Sequence, residues 1–320
     1  MLSPLLLLAL SALTALAQAA EPLRIAVSKT PLSLPMFVAE AQGYFAAEGL
    51  QVKLIECVGG HRCLRQVLDD AADVATAGDL PIMFNSFERT DYAVLATIVT
   101  ITDDVKLLVH SRAGVTKPEQ LAGKRIGAVA GSASQYFLDL YLLAVGVDPK
   151  SLIIVHLQPE QMLPALRDGA IDAAAVWEPH AHAALQALKG ELKMLPNAGH
   201  YLASFNLVAG RRALSTRDDD LVRLLRAVER AQRTIQDEPA AAKAVMVKRL
   251  QQDAQFVDWV WPTLNFRLSL DQSLITTLEG EARWALREGH AKGKRPANYM
   301  SLLHAGPLRA AKPSAVAVGR

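Results

Sequence analysis

The spacing of apolar residues along the chain predicts strands and helices in alternation. Short apolar runs such as 23–27 and 52–56 have the length of buried strands. The stretch 34–42 has apolar residues at helical spacing, and Gly43 follows it, where helices commonly end on a left-handed glycine. Repeated strand–helix alternation is typical of parallel sheets covered by helices. The sequence therefore predicts an α/β fold.

The strand–helix alternation begins a second time, and the chain then returns to the first α/β unit. Two neighbouring strands at 94–98 and 106–110 end the first α/β unit, and the run 205–209 is expected to carry the chain back to it. An amphipathic helix follows over 221–235. The segment 306–320 has no periodicity and is expected to form a disordered tail. The other predicted strands are 74–77, 125–130, 153–157 and 173–176, and the other late helices are 240–251 and 274–287.

The N-terminal segment indicates export. Residues 1–20 contain no charged side chain, and a dense apolar run extends from Leu5 to Leu16. The sequence Ala17-Gln18-Ala19 then fits the small-x-small rule of signal peptidase. An uncleaved membrane anchor is the alternative, but the run is shorter than the ~20 apolar residues that span a bilayer. We expect residues 1–19 to be a signal peptide cleaved near Ala19.

Composition and charge exclude several classes of protein. An apolar content of 51% can fill a core, which excludes a disordered chain. The 34 basic and 32 acidic residues leave a net charge of +2, so nothing indicates a nucleic-acid partner or a polybasic membrane anchor. Two cysteines are too few for a four-cysteine zinc site or a disulfide scaffold.

The loops after the predicted strands carry the candidate binding residues. Ligands of open parallel sheets bind beyond the carboxyl ends of the strands, where these loops converge. The loops are rich in hydroxyl groups, glycines and free N–H groups. The candidates are Thr30, Leu34, His61, Arg62, Gly78, Asp79, Gly131, Ser132, Ser134, Trp177 and Glu178.

Two of these loops have specific chemistry. At Gly131-Ser132 the backbone is accessible, and the N-terminus of the next helix offers N–H groups to an anion or a carbonyl oxygen. A simple serine N-cap is the alternative interpretation. Trp177 can wall a pocket and Glu178 can accept a hydrogen bond from a ligand amine. The alternative is a helix start, with Trp177 in the core and Glu178 as a cap.

Cys57 and Cys63 flank a short loop that contains His61 and Arg62. In an exported protein a disulfide is the favoured interpretation, and it would hold the loop near the ligand. A metal site of Cys57, His61 and Cys63 is an alternative, but it lacks a fourth nearby ligand and the usual Cys-x2-Cys spacing. Free thiols in an apolar core are the second interpretation, ahead of the metal site.

No catalytic arrangement is recognisable. The chain has no Gly-x-Ser-x-Gly elbow, no His-Glu-x-x-His segment and no phosphate-binding loop. We therefore expect a protein that is not an enzyme and that uses no cofactor and no metal.

Several segments resemble the periplasmic substrate-binding proteins of the nitrate/sulfonate/taurine ABC-importer family, which includes binders of pyrimidine precursors. The Cys57–Cys63 segment departs from the family pattern, and the cysteine-rich motif of related pyrimidine-synthesising enzymes is absent. The segments that carry the resemblance are 39–45 (AEAQGYF), 48–50 (EGL), 72–78 (ADVATAG), 121–127 (LAGKRIG), 131–132 (GS), 166–173 (LRDGAIDA) and 177–179 (WEP).

The resemblance implies a type II periplasmic binding protein fold. Such a fold has two α/β lobes, each with a mostly parallel sheet flanked by helices, joined by crossover strands and with the ligand in the cleft. Lobe 1 is then expected to comprise residues 21–103 and 206–305, and lobe 2 residues 104–205. The binding loops of the family correspond to those that carry Thr30, Gly78, Gly131-Ser132 and Trp177-Glu178.

The resemblance also implies a function. The chain is expected to be a periplasmic monomer that captures a small organic ligand and delivers it to an ABC permease and its ATPase. A sulfonate would suit Ser132 and Arg62, whereas a planar heterocycle would suit Trp177 and Glu178. An exported sensor that signals to a membrane receptor is the main alternative, and an exported hydrolase on the same fold is a third.

Overall fold

The computed structural model describes residues 21–198, 201–292 and 298–319, which form two β-sheets covered by helices. The predicted signal peptide, 1–19, lies outside the described residues. The strands are β1 (Leu23–Ser28), β2 (Val52–Cys57), β3 (Val74–Gly78), β4 (Tyr92–Ile101), β5 (Val105–His110), β6 (Arg125–Ala128), β7 (Ile153–His156), β8 (Ala173–Trp177), β9 (Leu192–Met194), β10 (Ala203–Gly210) and β11 (Leu264–Ser269).

Thirteen α-helices lie in the described part of the chain, and none of them is long and apolar enough to cross a membrane. They are α1 (Leu34–Ala41), α2 (Tyr44–Ala47), α3 (Gly60–Leu68), α4 (Asp79–Asn85), α5 (Ala133–Ala144), α6 (Pro159–Arg167), α7 (His180–Ala187), α8 (Arg211–Thr216), α9 (Asp218–Asp237), α10 (Pro239–Leu250), α11 (Ala254–Val260), α12 (Gln272–Arg287) and α13 (Ala305–Ala311).

The two sheets define two lobes. Lobe 1 is built on the six-stranded sheet of order β11-β4-β10-β3-β1-β2, and lobe 2 on the five-stranded sheet of order β7-β6-β8-β5-β9. In lobe 1, β1 pairs in parallel with β2 and β3, and in lobe 2, β6 pairs in parallel with β7 and β8. The predicted two-lobe α/β fold is confirmed.

The strands that follow the crossovers run against their neighbours. β5 enters lobe 2 and pairs antiparallel with β8, and β10 returns to lobe 1 and pairs antiparallel with β3 and β4. Because each crossover passes from the carboxyl edge of one sheet to the carboxyl edge of the other, the entering strand must run in the opposite direction. β10 begins at Ala203, three residues before the lobe boundary expected from the resemblance.

Apolar residues at strand and helix positions form the core. Five of the six β1 side chains are buried, as expected for a strand covered on both faces. Helix α9 buries a stripe that includes Leu221, Leu224 and Val228, and it packs on α1, α2 and α13. The amphipathic pattern predicted this helix, which extends a few residues beyond 221–235 at each end.

The sequence predicts a disordered tail over 306–320, and this prediction is wrong for residues 306–319. Helix α13 buries Leu308 completely, and Val316 is only 2% exposed. The backbone N–H of Leu270 donates to Ala315 O at 2.8 Å, and the N–H of Ala317 donates to Leu270 O at 2.9 Å. The apolar side chains of this Ala- and Pro-rich segment pack on lobe 1. They are not periodic along the sequence, so the pattern of the sequence did not predict this packing.

Candidate functional site

A cavity of about 60 Å³ lies between the two lobes. Its wall is formed by the loops that follow β1, β2, β3, β6 and β8 and by both crossover segments. This is the place expected for a ligand in two facing parallel sheets. The lining residues are Thr30, Leu32, Gly59, Gly60, His61, Gly78, Asp79, Pro81, Asp104, Ser132, Ala133, Trp177, Tyr201, Ala203, Ser204 and Phe205.

The predicted site residues divide into two groups. The wall of the cavity contains Thr30, His61, Gly78, Asp79, Ser132 and Trp177. The other predicted residues lie behind the wall or at the rim between the lobes, and these are Leu34, Arg62, Gly131, Ser134 and Glu178.

Trp177 and His61 bring the two lobes together at the cavity. Trp177 ends β8 of lobe 2 and is 7% exposed, and its ring lies edge-on to the His61 ring of lobe 1 at 6.3 Å between centroids. Burial, followed by the charge of Arg62, lowers the pKa of His61, so the imidazole is neutral at pH 7. The pair supplies apolar and aromatic surface without charge.

Asp79 holds the returning crossover against lobe 1. Its carboxylate accepts hydrogen bonds from Tyr201 Oη at 2.7 Å, from Ser204 N at 2.7 Å and from Ser204 Oγ at 3.1 Å. Its Oδ1 also accepts from the N–H of Leu80 at 2.9 Å. Burial raises the pKa of Asp79, whereas these hydrogen bonds favour the carboxylate and act to lower it. Asp79 therefore lines the cavity with oxygens that already have protein donors, and it positions Tyr201 and Ser204.

Glu281 of α12 is a second buried acid close to Asp79. It is 0% exposed, and neither carboxyl oxygen accepts a hydrogen bond from a donor in the described part of the chain, whereas a protonated Glu281 can donate to Asp79. Burial raises the pKa of Glu281 well above its ordinary value, and the charge of Asp79 raises it further. Both effects favour the protonated form of this carboxyl group.

Ser132 caps helix α5, as one of the two interpretations predicted. Its Oγ accepts from Ser134 N at 3.2 Å and donates to Val129 O at 2.7 Å. Ser134 lies behind the wall, where its Oγ donates to Ala175 O at 2.6 Å and so ties α5 to β8. Gly131 adopts φ +64°, which favours glycine, and directs the chain into α5. The N–H of Ala133, in the first turn of α5, therefore faces the cavity region without an intrahelical acceptor.

Glu178 lies outside the cavity wall, and its carboxylate joins the two lobes. Oε2 accepts from His182 N at 2.9 Å, which caps α7, and Oε1 accepts from Trp259 Nε1 of α11 at 2.9 Å. Burial raises the pKa of Glu178, while both hydrogen bonds favour its charged form. The helix-cap interpretation describes one of its two contacts, and the contact with Trp259 was not predicted.

Two further sets of contacts close the molecule around the cavity. At one rim Arg62 of lobe 1 binds Glu160 Oε1 at 2.9 Å and Gln158 Oε1 at 3.0 Å in lobe 2. At another, Trp284 Nε1 of α12 donates to Asp139 Oδ2 at 3.0 Å, and Tyr136 packs on Trp284 at 4.8 Å between ring centroids. The lobes are therefore in contact on three sides of the cavity.

The predicted disulfide between Cys57 and Cys63 is present. It links the end of β2 to the first turn of α3, beside Gly59 and Gly60. A Cβ atom on Gly60 would lie 3.0 Å from Ala77 Cα and from Gly78 N, so α3 approaches β3 closely at this point. The bridge and the glycines fix the N-terminus of α3 at the cavity wall.

Asp104 and the segment 201–205 are site residues that sequence reasoning missed. Both belong to the crossovers, and the predicted return of the chain at 205–209 could have placed them at the floor of the cleft. The Asp104 carboxylate has no side-chain hydrogen bond or ion pair with any residue that the structure describes, whereas the backbone N–H of Glu178 donates to Asp104 O at 3.2 Å and also favours the Asp104 carboxylate. Burial and the charge of Glu178 raise the pKa of Asp104 to about 7, and the charge of Lys106 acts in the opposite direction.

Within the described ranges no group of three or more acids, histidines and cysteines could hold a metal ion. The arrangement is a small pocket between the lobes with aromatic walls, several hydroxyl groups and two acids, Asp79 and Asp104. Such a site can enclose and orient a small polar molecule.

The comparison with protein families identifies the family of the chain. The profile described as "NMT1/THI5 like" matches residues 30–242. The chain belongs to the NMT1/THI5-like family. This family membership confirms the resemblance to sulfonate- and taurine-binding proteins.

Relatives and solved structures extend this result. The taurine-binding periplasmic protein of Escherichia coli (strain K12) is 28% identical over 190 residues, which cover 59% of this chain and 58% of that protein. The periplasmic aliphatic sulphonate-binding protein SsuA of E. coli superposes with a TM-score of 0.74 at 18% identity, over 89% of this chain and 92% of that one. The alkanesulfonate-binding SsuA of Xanthomonas axonopodis pv. citri, bound to MOPS, superposes with a TM-score of 0.75 at 19% identity, over 88% and 99%.

The chain spans about three fifths of the length of the curated relatives it matches. Those relatives are binding proteins by name. The solved structures show the shared two-lobe fold.

Proposed function

We propose that this chain is the solute-binding component of an ABC importer. In this function it captures a small organic ligand, sulfonate-like, taurine-like or pyrimidine-like, and delivers it to a membrane permease driven by an ATPase. The observation that carries the proposal is a cavity whose wall comes from both lobes. The names of the sulfonate- and taurine-binding relatives support the ligand class.

Closure of the lobes follows from the way the wall is divided. Thr30 and His61 belong to lobe 1, whereas Ser132 and Trp177 belong to lobe 2. A ligand that contacts both sets stabilises only the conformation in which the lobes meet, so binding shifts the population towards closure. The permease then recognises the closed form, and the chain performs no turnover.

The proposal includes the location and assembly of the protein. The N-terminal signal sequence is removed near Ala19, and the mature chain works in the periplasm as a monomer. Its partners are the ligand, the permease and the ATPase.

The first test is a thermal-shift screen of the mature, oxidised protein, followed by calorimetric titration of each ligand that raises the melting temperature. The set contains taurine, alkanesulfonates, nitrate, pyrimidines and aromatic acids. A ligand at about 100 times its Kd adds ~2.7 kcal/mol to the free energy of unfolding, which gives a clear rise. A saturable shift from one class identifies the ligand.

The double variant Ser132→Ala, Trp177→Leu tests the site. It loses contacts from two positions of the wall, and we expect Kd to rise at least about tenfold, or ~1.4 kcal/mol. Ser215→Ala, Trp261→Ala is the matched control, because both residues lie outside the cavity wall. Equal affinity of the site variant and the control, with normal circular dichroism spectra, would contradict the assigned site.

A further inference from the structure

A second cavity, of about 190 Å³, lies in lobe 1 beside the segment that returns from lobe 2, and we call it the polar cavity. Its wall is formed by β4, β11, the first turns of α12 and the start of the returning segment. Of its lining residues only Ser204 also lines the cavity between the lobes. The lining residues are Thr97, Thr100, Leu202, Ser204, Asn265, Arg267, Ser269, Asp271, Ser273, Leu274 and Thr277.

An irregularity in β4 directs two threonines into the polar cavity. Side chains alternate along a strand, so Thr97 and Thr100 would lie on opposite faces of a regular strand. The pairing of β4 with β10 passes from Val99–Phe205 to Thr97–Asn206, which leaves one extra residue in β4. Because of this bulge both threonines line the same cavity, in which Thr97 is only 5% exposed.

The hydroxyl groups of the polar cavity are only partly used within the protein. Thr97 Oγ1 donates to Asn206 Oδ1 at 2.7 Å, and Asn206 Nδ2 donates to Ser204 Oγ at 3.1 Å. The hydroxyl groups of Ser269 and Thr277, in contrast, have no hydrogen bond with any residue that the structure describes, although Ser269 is only 9% exposed. Both can therefore donate to and accept from a molecule in the cavity.

The charges of this wall cancel. Arg267 and Asp271 are the two charged residues of the lining, and Arg267 Nη2 lies 3.2 Å from Asp271 Oδ2. An anion that approaches Arg267 is repelled by Asp271, and a cation that approaches Asp271 is repelled by Arg267. The wall therefore favours a neutral molecule, to which the pair offers neighbouring donors and acceptors.

The chemistry of the wall matches a ligand that carries several hydroxyl groups. A hydroxyl group both donates and accepts, as do the serine and threonine hydroxyls that it would meet. A ligand with donors alone or acceptors alone would leave part of the wall unsatisfied. Leu202, which is 48% exposed, and Leu274 add apolar surface for the carbon atoms of the ligand. The cavity has room for about six water molecules, which is enough for a sugar alcohol or a monosaccharide.

We propose that the polar cavity is a second binding site and that its ligand is a small neutral polyol. The hydroxyl groups of the polyol pair with Ser269, Thr277 and the Arg267–Asp271 pair, and its carbon atoms lie on Leu202. This site is separate from the cleft and goes beyond the proposed function.

The polar cavity adjoins the cleft through Ser204. Ser204 Oγ donates to Asp79 Oδ2 at 3.1 Å, and Asp79 lines the cavity between the lobes. The backbone N–H of Ser204 donates to the same oxygen at 2.7 Å. A bound polyol therefore contacts the segment that forms the floor of the cleft, and the amide signal of Ser204 in an NMR spectrum should report its presence.

The experiment is an NMR titration of the isotope-labelled mature protein with xylitol and with glucose, which distinguishes sugar alcohols from monosaccharides. We expect at least one of them to shift the backbone amide signals of Leu202, Ser204 and Ser273 in a saturable way, with a millimolar or lower Kd. Polyols also stabilise folded proteins by exclusion from their surface, but that effect does not saturate.

The charge argument has its own matched probes. Glucuronate differs from glucose, and xylonate from xylitol, in a carboxylate that replaces a terminal hydroxyl-bearing carbon. Because Asp271 repels an anion, we expect each acid to bind at least about threefold more weakly than its neutral counterpart. Equal or tighter binding of the acid would contradict a site for neutral ligands.

The double variant Ser269→Ala, Thr277→Val removes the two unpartnered hydroxyl groups. Loss of two hydrogen bonds should weaken polyol binding at least about tenfold, and Thr277→Val alone, at a half-buried position, should give part of this loss. Thr276→Val is the matched control, because Thr276 is exposed, lies outside the cavity wall, and its Oγ1 donates to Gln272 O at 3.1 Å. The control should bind the polyol within about twofold of the unmodified protein.

The outcomes test this site alone. Shifts that grow linearly with polyol concentration indicate exclusion from the surface only and overturn the proposal. Saturable binding that is equal in the double variant and the control, with normal circular dichroism spectra, places the polyol elsewhere and also overturns it. Neither result affects the proposed importer function, and failure of the thermal-shift screen of cleft ligands does not affect the polyol site.

Discussion

Several acidic residues of this protein lie in places where water cannot reach them. Glu281 is the extreme case, because its carboxyl group is fully buried and Asp79 is the acid that acts on it. A protonated Glu281 places no second negative charge beside Asp79, which holds Tyr201 and Ser204. Protonation of Glu281 is therefore coupled to the acid that holds the floor of the cavity together.

Replacing Glu281 tests this arrangement. Because the folded-state pKa lies above the unfolded one, the unfolded chain releases this proton first as pH rises from about 4.5, and stability falls towards pH 8. Glu281→Gln cannot ionise, so it should be more stable than the unmodified protein at pH 8 by about 1–3 kcal/mol, with a smaller difference near pH 5. Urea unfolding at both pH values measures the difference.

Glu279→Gln serves as the control on the same helix, since Glu279 is more exposed and lies 3.8 Å from Arg283 Nη1. It should follow the unmodified protein at both pH values. If Glu281→Gln also has the same free energy of unfolding as the unmodified protein at both pH values, Glu281 is not a buried group that binds a proton.

At the scale of elements, the disulfide fixes the start of α3. The bond between Cys57 and Cys63 closes a short loop. By lowering the conformational entropy of the unfolded chain, it adds about 2 kcal/mol to the free energy of unfolding. We expect Cys57→Ser, Cys63→Ser to lower the free energy of unfolding by about this amount and to weaken ligand binding, because the Gly60 amide loses its fixed position.

Reduction of the unmodified protein with dithiothreitol should reproduce both effects. Chemical unfolding and calorimetric titration before and after reduction provide the measurement. An unchanged ligand affinity on reduction would show that packing of Gly60 against β3 alone positions the helix.

The elements differ in how far the sequence could predict them. β1, α1, β2 and β3 were predicted because each has a local apolar pattern and a turn signal at its end. β11 was not, since its alternating side chains at the sheet edge mix with polar residues, and its partner β4 is far away in the sequence. The C-terminal segment was missed for the same reason: its contacts with Leu270 and α9 are non-local.

The candidate site shows the same division. Thr30, Asp79, Ser132 and Trp177 follow strands of the sheets, so a general rule about strand ends located them. Asp104 and Tyr201 lie on the crossovers, and their place in the wall depends on how the lobes meet. The local sequence contains no information about that geometry.

At the scale of the whole molecule, the contacts between the lobes differ in strength. Arg62 and Glu160 are both well exposed, and exposed ion pairs contribute little. The Glu178–Trp259 hydrogen bond is different, because Glu178 is only 1% exposed and its carboxylate would lose one of two donors if the lobes separated. We therefore expect this buried contact to contribute more to the closed form than the exposed Arg62–Glu160 pair.

Trp259→Phe removes the donor and keeps the aromatic surface. An acceptor left unsatisfied costs about 1–3 kcal/mol, so we expect ligand affinity to fall about tenfold through faster dissociation. Stopped-flow kinetics measures the rates, and small-angle X-ray scattering should show a larger radius of gyration for the ligand-free variant. Trp261→Phe, in the next turn of the chain, is the control and should change neither.

All strands of the second sheet lie between Val105 and Met194, and its first strand, β5, is paired with its last, β9. The chain thus enters and leaves lobe 2 through adjacent strands, and lobe 2 is a continuous insertion into lobe 1. An insertion with neighbouring ends can be exchanged as one cassette. Chimeras that combine this lobe 1 with lobe 2 of a relative would recombine the two halves of the pocket wall, so new ligand preferences could be assembled from intact lobes without altering either core.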